Sequence, residues 1–353
     1  MQQDIQQKKN LDEVSFIRPI LIVLLVLYHA FAPWCGAWKS FDGYEPNGVY
    51  WWIGKATYSF MLPMFVFISG YVWSFQREAL NKKDSFKKLL SKKFKRLYIP
   101  SLIFSIAYLA IFKGSIFIGI GWGKHLIINI LHILSGCGHM WFLPMLFWIF
   151  LLMWCILQID KRWLRWLIVV GLCGISFIPV PLGISTAFFY IIYFYAGYEA
   201  FIYAEQLKKL STPKAIIVLW VIFIIAFVLL TILDEKCVNY YSDKSVMIKA
   251  IGLTTSNIIS KVYGFLGVFA LYGTSVHYTN KHQLSNTVIK LGAYCMGVYL
   301  FQQFILQALY YYTQLPAMVG TNVLPWIGFS ITFVISLSLS YLVRLTKVGR
   351  KLI

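Results

Sequence analysis

An all-α, polytopic membrane helix bundle is the fold class this sequence predicts, and three observations predict it. Hydrophobic residues make up 59% of the 353 and charged residues only 13%. The mean hydropathy is +0.69. The apolar residues also fall into runs close to the roughly 20 that a helix needs to cross a bilayer. Length alone would allow two soluble domains, but no stretch is polar enough for one. A single membrane domain over 1–353 is therefore expected.

Ten spans are expected, at about 16–34, 56–75, 97–112, 140–158, 164–179, 185–203, 214–233, 257–276, 287–312 and 323–344. Lys8, Lys9, an apolar core and Ala30-Phe31-Ala32 imitate a secretory signal with its cleavage site. Pro33 directly after that site argues against cleavage, so the first span is read as retained. Charge orients the rest. The segment from Arg77 to Arg96 holds Arg77, Lys82, Lys83, Lys87, Lys88, Lys92, Lys93, Lys95 and Arg96, which makes it cytoplasmic by the positive-inside rule. Alternating from there puts Lys161, Arg162 and Arg165, then Lys208, Lys209 and Lys214, then Arg344, Lys347, Arg350 and Lys351 on the same side. Both termini are then cytoplasmic.

The net charge of +19 comes from 32 Lys and Arg against 13 Asp and Glu. On a soluble protein it would suggest nucleic acid. Here the basic residues lie between apolar spans, so orientation and anionic headgroups account for them, and the partner is membrane lipid rather than nucleic acid. The six cysteines show no metal-ligand spacing, and no metal is expected. Residues 35–55 form an aromatic, glycine-containing outer loop of the kind that caps a sugar or a bilayer surface. Residues 113–139 include an apolar stretch too short to cross, read as an interfacial or re-entrant segment.

Four motifs carry chemistry. The first is Arg18 and His29 within FIRPILIVLLVLYHAFAPW. Eleven positions turn a helix about three times and advance it about 16 Å, so both side chains share a face. Ionisable groups at membrane depth mark function by default. Pro19 suits the first helical turn, where no backbone donor is lost. The second is Lys93-Phe94-Lys95-Arg96, whose cations at i and i+3 are expected on one face, gripping a phosphate. The third is Ser69-Gly70, small enough for a helix or ligand chain to approach closely. The fourth is Gly138-His139-Met140-Trp141-Phe142-Leu143, with His139 near the His29 level. Glu199 is a further buried-looking ion, expected to pair with a loop lysine or Arg18.

In this order and spacing the four motifs resemble the acyltransferase 3 family of membrane acyltransferases, with weaker matches at Tyr195-Ala196-Gly197-Tyr198 and Gly297-Val298-Tyr299-Leu300-Phe301-Gln302. Two departures stand out. Lys93 replaces the first arginine of an Arg-x-x-Arg motif, and Gln302 stands where members often carry histidine. The resemblance implies transfer of an acyl group, commonly acetyl, from cytoplasmic acyl-CoA to a hydroxyl of an extracytoplasmic or lipid-linked glycan. It sets the protein in a bacterial cytoplasmic membrane. Acyl-CoA is then a co-substrate, with no tightly bound cofactor. His29 is the expected general base. Arg18, Lys93, Arg96 and Ser69 are expected to bind the donor, and Trp141, His139 and Tyr28 to face the acceptor or the oxyanion.

The leading alternative is a carrier or flippase for a lipid-linked sugar. Against it, the second half shows no echo of Arg-x10-His and no matched pair of broken helices. A histidine-centred O-acyltransferase of the unrelated type would use His132. A purely structural membrane protein explains His29 worst. Aromatic spans permit a homodimer without requiring one.

Overall fold

The computed structural model describes residues 11–41, 43–112, 124–241 and 246–352, with backbone alone for 124–126, 237–250 and 351. The part of the expected outer segment from 113 to 123 thus lies outside the described residues. The described elements are all helical: α1 Asp12–Ala30, α2 Gly48–Ser74, α3 Phe86–Lys93, α4 Ile99–Phe112, α5 Lys124–Ser135, α6 Phe142–Ile156, α7 Arg162–Gly174, α8 Ile184–Ile202, α9 Ala204–Leu207, α10 Pro213–Tyr241, α11 Val246–Lys281, α12 Asn286–Tyr311, α13 Leu315–Val319, α14 Leu324–Leu345 and α15 Gly349–Leu352.

Eight of the ten expected spans coincide with helical stretches long and apolar enough to cross a membrane. The other two differ in kind. At 13 residues, α7 is about 20 Å long, short of a bilayer core of about 30 Å. At 19 residues α8 has the length, but four tyrosines and Glu199 dilute its apolar character. In α10 only 17% of the most apolar window is buried, and Ile217, Val218, Val221, Ile224, Ile225 and Leu229 face outward. A helix apolar on its outer face has lipid as its solvent.

The chain forms two compact units, Met1–Ile68 with Ala200–Lys351 and Ser69–Glu199. In the first unit α1 is the hub, packed against α11, α12 and α14. It begins earlier than expected, with Asp12 and Glu13 in its first turn, where carboxylates suit the helix dipole. It ends at Ala30, because Pro33 stiffens the turn that follows. Pro19 is therefore interior and not in the first turn, so the Ser15 carbonyl loses its usual helical donor. The loop that follows α1 folds back on the end of that helix. Trp34 Nε1 donates to the Glu45 carbonyl at 3.0 Å. Tyr50 donates to the Asn322 carbonyl at 2.6 Å. Phe31, Trp34, Phe41, Tyr50 and Tyr310 close into one buried aromatic cluster.

In the second unit the last residues of α2 lie against α8 at backbone contact. A Cβ on Gly70 would stand 1.9 Å from the Phe194 carbonyl oxygen, so the small residue read in the sequence is obligatory there. Gly70→Ala is expected to destabilise the protein by about 3 kcal/mol, the upper end for overpacking. Thermal unfolding in detergent checks this, with Ser69→Ala as a near-neutral control.

Candidate functional site

His29 occupies the last turn of α1 and is only 8% exposed. Its environment is aromatic. The Tyr28 ring lies 5.1 Å away and the Trp38 indole, from the folded-back loop, stacks at 5.8 Å. Tyr28 in turn faces Tyr58 of α2 at 4.7 Å. Arg18, half-buried, stands on the same continuous helix eleven residues earlier, so the expected alignment of cation and imidazole holds on α1. Of the expected site residues this unit holds Arg18, Tyr28 and His29.

The second unit holds Ser69, Lys93, Arg96, His139 and Trp141. Lys93 and Arg96 are less alike than their spacing suggested. Lys93 places its ammonium 3.3 Å from the centre of the Phe150 ring, whereas Arg96 is exposed. The cause is Pro100, which cannot donate to the Arg96 carbonyl and crowds it. The turn Phe94–Tyr98 widens into a π-helix, in which the Ile99 N–H reaches the Phe94 carbonyl. A three-residue step therefore no longer keeps both cations on one face.

His139 is buried, at 4% exposure. It sits in a single 3-10 turn, Gly138–Trp141, entered through Gly136 at φ 89°. A Cβ at Gly136 would also lie 2.5 Å from the Trp141 nitrogen. The turn is held by α4 and its entry. Ser105 Oγ accepts from the Cys137 N–H at 2.9 Å, and Tyr98 donates to the Leu134 carbonyl at 2.9 Å. The Trp141 ring faces Tyr190 of α8 at 6.3 Å. His132, by contrast, is exposed on the twelve-residue α5, which removes support for a catalytic centre there.

Glu199 pairs with Arg162, not with a lysine or Arg18. Nearby Tyr198 donates to the Glu78 carboxylate, which also meets Arg77 at 3.3 Å. No periodicity pointed to Arg162 for Glu199 or to Tyr198 for Glu78, since each of those pairs joins turns far apart in sequence. The basic loop has its own clamp. Asp84 accepts from Lys88 at 3.0 Å and Lys92 at 2.7 Å, while its carbonyl accepts from the Trp154 indole at 3.1 Å. Partial burial pushes the Asp84 carboxyl up, but hydrogen bonds from Lys92 and Lys88 outweigh it and hold the group below the usual carboxylate range.

Apolar crossing helices with ionisable residues lodged in them define an integral membrane protein. The family is equally plain: the acyltransferase 3 model, described as an acyltransferase domain, matches residues 11–345, and the chain belongs to that family. It is thus a membrane acyltransferase. Neither a search of curated proteins nor one of solved structures gives a match.

The Asp84 clamp has a pH dependence of known sign. A carboxyl whose folded pKa is depressed stabilises the fold above its unfolded pKa, and that contribution is lost as pH falls through the lower folded value. Amide hydrogen exchange in α3, corrected for its intrinsic pH dependence, is expected to accelerate across that acid window. Asp84→Asn should show the faster exchange already at neutral pH.

Proposed function

We propose that this chain moves an acyl group, commonly acetyl, from cytoplasmic acyl-CoA to a hydroxyl of an extracytoplasmic or lipid-linked glycan, with His29 as general base. The observation that carries this reading is His29 itself, a buried imidazole in the last turn of a crossing helix, ringed by Tyr28 and Trp38 and in line with Arg18. Imidazole titrates close to neutrality, and aromatic faces suit the apolar faces of a sugar ring. About 16 Å separate Arg18 and His29 along α1, a span of the order of the pantetheine arm.

The chemistry balances simply. The acceptor oxygen adds to the thioester carbonyl while His29 takes the hydroxyl proton. Collapse of the adduct breaks the C–S bond, and the departing CoA sulfur recovers a proton from the imidazolium, leaving an ester and free CoA. In the first unit Arg18 is the candidate cation for the donor. In the second, Lys93 and Arg96 are the candidates for its phosphates, and Ser69 is a further donor-binding candidate. Tyr28, His139 and Trp141 remain the candidates for acceptor or oxyanion contacts. The setting proposed is a bacterial cytoplasmic membrane with the basic loops inward.

Membranes containing the protein, given labelled acetyl-CoA, are expected to pass label to saccharide and release CoA. His29→Ala should lower that rate at least about a hundredfold, the lower bound for a lost general base. A carrier would keep moving its lipid-linked sugar after the same substitution and would release no CoA. Arg96→Ala is expected to raise the KM for acetyl-CoA about tenfold, from a lost charge-assisted hydrogen bond, with the acceptor KM unchanged. An unchanged donor KM would remove Arg96 from the phosphate contacts.

A further inference from the structure

Gln302 of α12 has 0% of its surface exposed, and neither its amide oxygen nor its amide nitrogen meets a hydrogen-bond partner among the described residues. Burying an amide without compensation costs about 1–3 kcal/mol, and buried polar side chains are as a rule paired. Two neighbours share this condition. Gln303 Oε1 and the fully buried Thr332 hydroxyl of α14 also lack partners among the described residues.

The position of this polar patch is set by contacts at either end. Cys295 Sγ reaches the Arg18 carbonyl at 3.5 Å, and the Tyr310 hydroxyl donates to the Ala30 carbonyl at 2.9 Å. Helices α1 and α12 therefore run side by side in the same direction, with Arg18 beside Cys295 and the His29 end beside Tyr310. Gln302 is seven residues after Cys295 and eight before Tyr310. At 100° and 1.5 Å per residue it stands about 20° around the helix from Cys295, on the face towards α1, and about 10 Å further along. Helix α14 runs the opposite way. Ser340 donates to the Tyr294 carbonyl at 3.2 Å and Gly328 abuts the Tyr310 phenol, which brings Thr332 close to the level of Gln302. The open amide thus lies midway between the candidate phosphate cation and the candidate base, on the face α12 turns to them.

We propose that Gln302, with Thr332 beside it, is a binding subsite for the amide groups of the pantetheine arm of acyl-CoA. This rests on the reading that His29 acts on an acyl-CoA whose charged end lies towards Arg18. The arm is uncharged and carries two secondary amides, each with one donor and one acceptor. In an apolar bundle those groups need partners, and a primary carboxamide with both atoms open supplies a donor and an acceptor together. Leucine and isoleucine side chains can accompany the methylenes of the arm, but only a polar side chain compensates its amides.

The test measures binding of two probes to the purified full-length protein in nanodiscs. One is CoA, and the other is its nucleotide half, the phosphorylated adenosine diphosphate without the arm. Gln302→Met keeps the volume and removes the amide. It is expected to weaken CoA binding about tenfold and to leave binding of the nucleotide half unchanged. Gln302→Asn, which keeps an amide one methylene short, should recover part of that loss. Equal weakening of both probes would show that Gln302 serves the fold. Unchanged CoA binding would show that its amide is satisfied by internal water. Either result overturns the subsite while leaving the acyl-CoA reading intact. Wild-type protein that binds neither probe overturns both.

Discussion

Eight helical stretches of this protein are long and apolar enough to cross a membrane, and a bilayer core offers no water to a polar atom, so each one there needs an internal partner or an exceptional reason to lack one. The aromatic residues meet this constraint by burying a ring while their polar tips reach backbone carbonyls. Trp34 does so at Glu45, Tyr50 at Asn322 and Tyr310 at Ala30. Each contact fastens a loop or helix end beside His29 and contributes ring packing of about 0.5–1.5 kcal/mol beyond area. Charges meet the constraint by pairing. Glu199 finds Arg162 and Glu78 finds both Tyr198 and Arg77.

The second constraint is steric, and glycine and proline set it. Gly70 lets α2 touch the backbone of α8, and Gly136 turns the chain so that His139 enters a buried turn. Pro100 removes a helical hydrogen bond and opens a π turn, with the consequence that Lys93 lies over Phe150 while its motif partner Arg96 stays in solvent. A wide turn of this type often marks a functional segment. Here it separates the surroundings of two cations that a regular helix would have made equivalent.

Family membership and site geometry answer different questions. Membership establishes a membrane acyltransferase. The arrangement around α1 supports a route for the reaction, because it places a cation, an uncompensated amide and an imidazole at successive depths along neighbouring helices. An apolar bundle tolerates such groups only where something compensates them. A substrate that is charged at one end, amide-bearing in the middle and reactive at the other would match the series.

Much of the fold was legible in the sequence, since apolar runs near 20 residues are a local property. The pairing of Arg18 with His29 was legible for the same reason, because helix geometry alone aligns residues eleven apart. The start of α1 at Asp12 and the interior position of Pro19 were missed because a polar first turn looks like a loop until its helix is packed. The burial of His139, the Arg162–Glu199 pair, the inward turn of Lys93 and the open amide of Gln302 were not legible at all. Composition and spacing determined that this chain crosses a membrane and carries an imidazole and a cation in line, because those follow from rise and turn per residue. Which polar groups became partnered, and which were left open, only the tertiary structure decided, because a partner is a matter of distance in space between residues remote in sequence.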